Sequence, residues 1–284
     1  MVFDRKTNTY YEEENSKSLL FLYHNFFGRC VLKVLTRRFI SILGGYYMNS
    51  RLSKHRIRKF IRQNQIDMSE YEETKYTSFN DFFTRKIKDE KRVLLSDNEL
   101  FLAPADSKLT VYSIDKDTCF WIKDSCYRVS ELLQDEELSK KYEGGYCFVF
   151  RLGVTDYHRY SYIDNGKVIS SKKINGIFHT VRPIAFKKYK VFHENTREYQ
   201  VLDTKNFGHV IQMEVGALMV GKIVNKECQE FSRGDEKGYF CFGGSTIVVL
   251  VEKDKVIPDS DILKNSSKDI ETRVYLYEAV GRRK

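Results

Sequence analysis

The segment Gly243-Gly244-Ser245-Thr246 carries residue types that can cleave their own backbone. A serine that follows a glycine in a strained turn can attack the preceding carbonyl carbon through Oγ, which converts the amide into an ester. β-Elimination then breaks the chain and leaves dehydroalanine, whose hydrolysis releases ammonia and leaves a pyruvoyl group. Glycine at the scissile position lets Oγ approach and permits unusual backbone angles. The segment therefore predicts cleavage between Gly244 and Ser245, with Ser245 as the precursor of a pyruvoyl cofactor.

An ordinary β-hairpin explains the same four residues. Apolar runs lie on both sides of the segment, and Gly-Gly makes a favourable two-residue turn. The four residues alone do not decide between a turn and a cleavage site, so the choice depends on the rest of the chain.

Further segments with chemically useful residues precede the cleavage site in a fixed order. They are Phe79-Asn80-Asp81-Phe82-Phe83-Thr84-Arg85-Lys86, Pro104-Ala105-Asp106-Ser107-Lys108, Asp156-Tyr157-His158-Arg159-Tyr160, Asn195-Thr196-Arg197-Glu198 and Glu214-Val215-Gly216-Ala217-Leu218-Met219-Val220-Gly221. With these segments and the Gly-Gly-Ser-Thr site, the chain resembles the phosphatidylserine decarboxylase family over about residues 45–252, particularly its bacterial form.

The resemblance implies a proenzyme that cleaves itself and then decarboxylates phosphatidylserine to phosphatidylethanolamine. Ser245 would supply the pyruvoyl cofactor, which forms a Schiff base with the substrate amine and accepts electrons as carbon dioxide leaves. The products of cleavage would be a larger chain, residues 1–244, and a smaller chain, residues 245–284. The resemblance also implies a homodimer. No metal is expected, because no Cys/His cluster has zinc-ligand spacing.

The resemblance also assigns the residues that activate Ser245. Asp106 matches the family Asp, with Ser107 in place of the usual Gly, and His158 matches the first His of a His-Arg-x-His motif. Ser161 stands where the family has its second His, to which the relay role is usually given. A serine cannot act as a base near neutral pH. Three outcomes follow: His158 is the base, His179 substitutes for it, or the chain is a processing-deficient, non-catalytic lipid-binding relative.

Two further segments have alternative interpretations. The Arg197 guanidinium suits a substrate carboxylate or phosphate, but a surface salt bridge explains it equally well. Phe82, Phe83 and Arg85 line the lipid side of the site in one interpretation, and the phenylalanines pack in the core in the other.

The elements that position these residues predict an α+β fold. Apolar residues recur at helical spacing over residues 17–48, with Gly44-Gly45 expected to end the helix. Ser53 is expected to cap a second helix, and a third is expected at residues 79–83. Strands are expected at residues 109–114, 147–152, 166–174, 210–215, 217–224 and 246–251. We expect an N-terminal helical, membrane-surface portion (1–95) and a mainly antiparallel, β-rich catalytic domain (96–284).

The net charge indicates which kinds of partner the protein could bind. The 48 Lys and Arg residues against 39 Asp and Glu residues give a net charge of +9, which attracts anionic surfaces. No nucleic-acid-binding motif appears, and the cations are scattered, so no nucleic acid partner is expected. The basic, aromatic helical segment predicts either attachment to an anionic membrane, peripherally on the cytoplasmic face of the cell membrane, or packing on its own domain.

Overall fold

The computed structural model describes residues 1–122, 125–186, 188–218 and 222–284. Its helices are α1 (Lys17–His24), α2 (Phe26–Leu35), α3 (Arg38–Asn49), α4 (Arg56–Asn64), α5 (Phe79–Phe83), α6 (Val129–Leu133), α7 (Glu136–Lys140), α8 (Pro183–Phe186), α9 (Val191–Glu194) and α10 (Ser260–Ser266). Short 3₁₀ turns lie at Arg51–His55, Met68–Glu70 and Asp89–Lys91.

The strands form one large sheet and several small ones. They are β1 (Val2–Asp4), β2 (Thr9–Tyr11), β3 (Leu100–Leu102), β4 (Ser107–Ser113), β5 (Cys119–Ile122), β6 (Ser125–Arg128), β7 (Tyr146–Leu152), β8 (Arg159–Ser161), β9 (Gly166–Ile174), β10 (Arg197–Thr204), β11 (Gly208–Gly216), β12 (Ile223–Asn225), β13 (Glu230–Phe231), β14 (Glu236–Phe240), β15 (Ser245–Val251), β16 (Val256–Pro258), β17 (Glu271–Val274) and β18 (Ala279–Arg283). The large sheet has the order β13-β9-β10-β11-β15-β7-β4-β17-β1-β2, and the small sheets are β12-β14-β8, β16-β18-β3 and β5-β6.

The centre of the large sheet is buried on both faces. Every residue of β15 is buried, and β15 pairs antiparallel with both β11 and β7. Alternate residues contribute to different cores, since Ile247 and Val249 pack in one cluster while Val248 and Leu250 pack in the other. This alternation is the period of two that a strand imposes on its side chains. A rigid, covered strand therefore begins at Ser245.

The predicted α+β class with a mainly antiparallel sheet is confirmed. The strand predicted at residues 166–174 has the same bounds in the structure, and four others differ by only a few residues at their ends. The strand predicted at 217–224 is wrong: β11 ends at Gly216, Ala217 and Leu218 are not in a strand, and β12 begins at Ile223. Residues 219–221, part of that prediction, lie outside the described residues.

The N-terminal helices differ from the predicted pattern at three points. The helical segment is broken at Asn25, whose side chain accepts the Phe27 N–H at 2.9 Å and caps α2. Helix α3 continues through Gly44-Gly45 to Asn49, because a glycine ends a helix mainly through positive φ and neither glycine has it. Ser53 does not cap α4: its hydroxyl donates to the Ser50 carbonyl at 2.7 Å and lies inside the preceding 3₁₀ turn.

The division at residue 95 stays a prediction. Helices α1 to α5 precede it, as expected, but β1 also precedes it and pairs parallel with β17 near one edge of the large sheet. The first residues of the chain are thus fixed to the β-rich body.

Candidate active site

The Gly-Gly-Ser-Thr segment is not a hairpin. Strand β14 lies in the small sheet with β12 and β8, whereas β15 lies in the large sheet between β11 and β7. The connecting loop, residues 241–244, therefore crosses from one sheet to the other. This excludes the simple turn, in which the two flanking strands would pair with each other.

Ser245 is held rigidly at the end of this loop. Its backbone pairs with Leu152 on one side and with Gly216 on the other, and the residue has no exposed surface. Its Oγ is buried and has no hydrogen-bond partner in the described structure. A buried hydroxyl without a partner costs roughly 1–3 kcal/mol, so its retention needs a reason. Attack on the neighbouring carbonyl is such a reason.

The two glycines have different backbone roles. Gly243 has φ of +143°, a conformation that a side chain would strain. A Cβ on Gly244 would meet Val181 Cγ2 at 3.6 Å and the Leu152 carbonyl oxygen at 3.9 Å, which is ordinary contact. Gly243 is therefore required by the backbone, whereas a Cβ at Gly244 would fit without a clash.

Helix α5 fixes the loop from the other side. The Phe242 N–H donates to Asn80 Oδ1 at 2.9 Å, and the Phe242 ring packs edge-on against Phe79 and Phe83 at 5.0 and 5.2 Å. Ser78 caps this short helix by accepting the Asp81 N–H at 3.1 Å. The phenylalanines of the 79–86 motif are thus core residues, as one of the two interpretations predicted.

His158 packs against the same helix. Its ring lies 4.0 Å from the Phe83 ring, centroid to centroid, and its backbone carbonyl accepts the Phe240 N–H at 3.0 Å. Nδ1 lies 2.7 Å from the Asp156 carbonyl oxygen, and Nε2 is buried without a partner in the described structure. A carbonyl only accepts, so Nδ1 carries the proton and Nε2 carries the lone pair.

Burial sets the charge state of His158. Desolvation in a fully buried site lowers the pKa of His158 to about 3, despite the favourable influence of Asp156. The imidazole is therefore neutral near pH 7, in the tautomer that can accept a proton at Nε2.

Asp156 is a residue to which the sequence assigned no separate role. Its carboxylate accepts from Lys108 Nζ at 2.9 Å, Arg273 Nη1 at 2.6 Å and the Gly153 N–H at 2.7 Å. Arg273 and Lys108 together hold the pKa of this buried carboxyl well below its usual range, against the opposing effect of desolvation. These contacts fix the turn whose carbonyl orients His158. The two cations, Lys108 and Arg273, are 48 and 117 residues away, so no local pattern indicates the role.

Asp106 has partners other than Ser245 and His158. Arg92 donates to it twice, at 3.0 Å from Nε and 2.6 Å from Nη2, and the Leu276 N–H donates at 2.8 Å. It lines an open cavity of about 810 Å³ that includes Tyr157. Among the described residues, this cavity shares no lining residue with the one beside Gly244. The catalytic role of Asp106 stays a prediction.

Ser161 and His179 also have other partners. Ser161 is buried on β8, its side chain beside the Tyr277 hydroxyl, and its N–H donates to the Pro104 carbonyl at 3.0 Å. His179 Nδ1 lies 3.2 Å from the Tyr23 hydroxyl, and its ring stacks on Tyr189 at 3.9 Å. Desolvation lowers the pKa of His179 to about 4. Both histidines are therefore neutral near pH 7. His158 has a buried ring nitrogen without a partner among the described residues and contacts the residues around the loop, whereas His179 Nε2 lies 3.6 Å from a Glu194 carboxylate oxygen.

The surface salt bridge that one interpretation of Arg197 predicted is wrong, because Arg197 is buried. Its guanidinium donates to the backbone carbonyls of four residues, and a role in binding substrate stays a prediction. These residues are Leu132, His193, Asn195 and Glu131. Desolvation lowers the pKa of Arg197 to about 10. Its function is to tie β10 to α6 and α9.

A second cavity, of about 580 Å³, opens at the scissile peptide. Gly243 and Gly244 form one wall, Thr180, Val181 and Arg182 another, and the chain around the start of α1 a third.

In the described part of the chain, no group of three or more His, Cys, Asp or Glu residues is placed to hold a metal ion. None of the described helices is both long and apolar enough to cross a bilayer.

Comparisons with known proteins show which family the chain is similar to. A family model for phosphatidylserine decarboxylase matches residues 79–281. Phosphatidylserine decarboxylase proenzyme 2 of Clostridium acetobutylicum is 50% identical over 283 residues, which cover 99% of this chain and 97% of that protein. The proenzymes of Clostridium tetani and Fusobacterium nucleatum are each 40% identical, again over 99% of this chain and 97% of theirs.

Proposed function

The chain belongs to the phosphatidylserine decarboxylase family, and from this membership we propose that it is a proenzyme that cleaves itself between Gly244 and Ser245 and then converts phosphatidylserine to phosphatidylethanolamine. The observation that carries the cleavage step is the buried, unpartnered Ser245 Oγ at the end of a loop between two sheets. A non-catalytic relative has no support in the comparisons, because the full-length relatives are named as proenzymes.

The cleavage step balances with residues of this chain and one water. Ser245 Oγ bonds to the Gly244 carbonyl carbon as the amide C–N bond breaks, and the hydroxyl proton passes to the nitrogen by way of His158 Nε2. Loss of the Ser245 Cα proton then expels the Gly244 carboxylate as the new C-terminus of the larger chain. One water replaces nitrogen at Cα, and ammonia leaves. His158 suits the first step because burial keeps it neutral with a free lone pair.

The residues fit a pyruvoyl group at position 245. The group supplies a carbonyl that accepts the electron pair released with carbon dioxide. Strand β15 holds this position between β11 and β7, and β17 of the same smaller chain lies between β4 and β1. The smaller chain is therefore part of the large sheet, so the two chains stay together after cleavage.

Intact mass of the purified protein tests the cleavage. Cleavage predicts fragments of residues 1–244 and 245–284 in place of the 33.6 kDa chain, with a blocked N-terminus on the smaller one. Ser245→Ala should abolish both cleavage and carbon dioxide release from phosphatidylserine, whereas Ser267→Ala, an exposed serine on α10's C-terminal side, should leave both intact. Decarboxylation by the Ser245→Ala protein would disprove the pyruvoyl assignment.

We also propose that helices α1 to α3 meet an anionic membrane surface, on the cytoplasmic face. These helices expose Phe21, Phe26, Phe27 and Phe39, with exposed fractions of 48% to 73%. Residues 15–66 contain 11 Lys and Arg residues and no Asp or Glu. Apolar aromatic side chains insert at a lipid interface, and each nearby cation contributes about 1 kcal/mol at an anionic leaflet.

Sedimentation with lipid vesicles tests the membrane proposal. The protein should bind vesicles containing phosphatidylserine more tightly than neutral phosphatidylcholine vesicles, and salt should weaken this binding. Phe27→Ser should reduce binding, while Ile169→Ser, at an exposed apolar residue on β9, should not. Equal losses for both variants would count against a membrane face on α1 to α3.

The family resemblance also leads us to propose a homodimer, and light scattering of the purified protein tests this proposal.

A further inference from the structure

The cavity beside the scissile peptide contains a cation whose charge is not neutralised. Arg182 lines this cavity together with Gly243 and Gly244. Its Nη1 donates to the Glu14 backbone carbonyl at 2.9 Å and to Asn15 Oδ1 at 3.4 Å, both neutral acceptors. Within the described part of the chain, no carboxylate forms a salt bridge with Arg182. The Nε and Nη2 groups make no hydrogen bond there either, so one edge of the guanidinium fork is free.

The other arginine that lines this cavity is neutralised. Arg151 forms salt bridges with Glu13 and Glu271. The cavity lining also includes the exposed residues Lys17 and Glu14, whose charges cancel. Arg182 therefore leaves a net positive charge beside the scissile peptide.

The backbone of Arg182 is fixed in place. Pro183 follows it and begins α8, and the Thr180 N–H donates to the Tyr23 hydroxyl at 3.0 Å. The side chain points along the cavity towards the start of α1, where Glu14 and Asn15 hold it. Leu19 of α1 lines the same cavity, and the adjacent Leu20 and Phe21 are exposed. The cavity therefore leads from the scissile peptide to an apolar surface.

We propose that Arg182 binds the phosphodiester of the phospholipid substrate, an assignment that rests on the proposed function. A phosphodiester keeps its charge throughout the reaction, and the free edge of a guanidinium suits two of its oxygens. The substrate carboxylate is a poorer ligand for this residue, because its charge disappears as carbon dioxide forms. A cation there would stabilise the ground state more than the transition state and slow the reaction. The serine end of the head group then points to position 245, and the acyl chains point to α1.

The experiment compares Arg182→Gln, Arg182→Lys and the control Arg282→Gln, an exposed arginine on β18, all in the full-length protein. Gel electrophoresis first establishes that each variant cleaves. Calorimetry then measures binding of glycerophosphoethanolamine, a probe with a phosphodiester and no carboxylate. Arg182→Gln should weaken this binding roughly tenfold to hundredfold and raise KM for short-chain phosphatidylserine by a similar factor, with kcat within about twofold. Arg182→Lys should recover part of the loss, and Arg282→Gln should match the wild type.

The outcomes separate this assignment from the proposed function. Wild-type affinity for glycerophosphoethanolamine in Arg182→Gln would overturn the assignment of Arg182, and so would a loss of kcat at unchanged KM. Displacement of the probe by inorganic phosphate at equal concentration would show a general phosphate site and overturn it as well. If the wild-type protein does not decarboxylate phosphatidylserine but Arg182→Gln still loses the probe, the proposed function fails and the phosphodiester site stands.

Discussion

Substitution of His158 tests whether this residue acts as the base in place of the family's second histidine, whose position Ser161 occupies here. In His158→Asn, the side-chain amide nitrogen can occupy the place of Nδ1 and keep the 2.7 Å contact with the Asp156 carbonyl. The variant lacks only the outer part of the ring, which includes the unpartnered Nε2. His179→Asn is the matched control, since it shortens the other candidate base while its amide can still reach the Tyr23 hydroxyl.

The expected effects follow from two properties of the His158 ring, which can act as a base and which packs against Phe83. A positioned general base contributes roughly 10²- to 10⁴-fold, so the rate of self-cleavage in His158→Asn should fall by that factor. The shorter side chain also leaves a gap against Phe83, because the two rings are only 4.0 Å apart. A gap of this size costs about 1–3 kcal/mol, while the hydrogen bond to the Asp156 carbonyl is kept. This loss is smaller than the roughly 5–15 kcal/mol by which folded proteins are stable, so the fold should survive while cleavage slows.

The assay follows cleavage of freshly made protein by intact mass over time, with circular dichroism to establish that each variant is folded. His158→Asn should accumulate as the full-length chain, and His179→Asn should cleave within a few-fold of the wild-type rate. A folded His158→Asn protein that cleaves at the wild-type rate would refute the assignment of His158 as base. If only His179→Asn stalls, the substitute base is His179.

The remaining predictions concern pH, charge burial and backbone strain, all measured on the uncleaved Ser245→Ala protein. The pKa of His158 falls from 6.5 in the unfolded chain to about 3 in the folded one, so the unfolded state binds more protons between these values. The free energy of unfolding should therefore fall below pH 6.5, by up to about 1.4 kcal/mol per pH unit from this residue, and His158→Asn should have a shallower dependence in denaturant titrations at pH 7 and 5. Lys237 and Glu214 form an ion pair with no exposed surface, 2.6 Å from Nζ to Oε2, so Lys237→Met should cost about 3–5 kcal/mol by stranding the carboxylate. The double variant Lys237→Met/Glu214→Leu should recover much of that loss, and a double variant as unstable as the single one would contradict this reasoning. Gly243→Ala should destabilise by about 1–3 kcal/mol because of its φ of +143°, and Gly244→Ala by clearly less, since its Cβ meets only ordinary contacts; equal losses in thermal unfolding would contradict the difference.

The sequence alone determined the local features of this protein. Short runs rich in Val, Ile, Tyr and Phe predicted β7 and β15, because a strand that is buried on both faces is apolar throughout, and this composition is readable without a partner strand. The Gly244-Ser245 pair showed that cleavage chemistry was possible, and the other motifs were needed to favour it over an ordinary turn. The order of motifs then predicted the family, which the comparisons confirmed.

Only the tertiary structure decided which residues meet at the site. It separated β14 from β15 into different sheets and so excluded the hairpin, a result that depends on strands far apart in the chain. It placed Asp106 against Arg92, left His158 Nε2 without a partner among the described residues, buried Arg197 among backbone carbonyls, and placed Arg182 at the cavity. In each case the residue type was visible in the sequence. Its partners were not, because strand register and long-range packing decide which groups are buried, neutralised or left free.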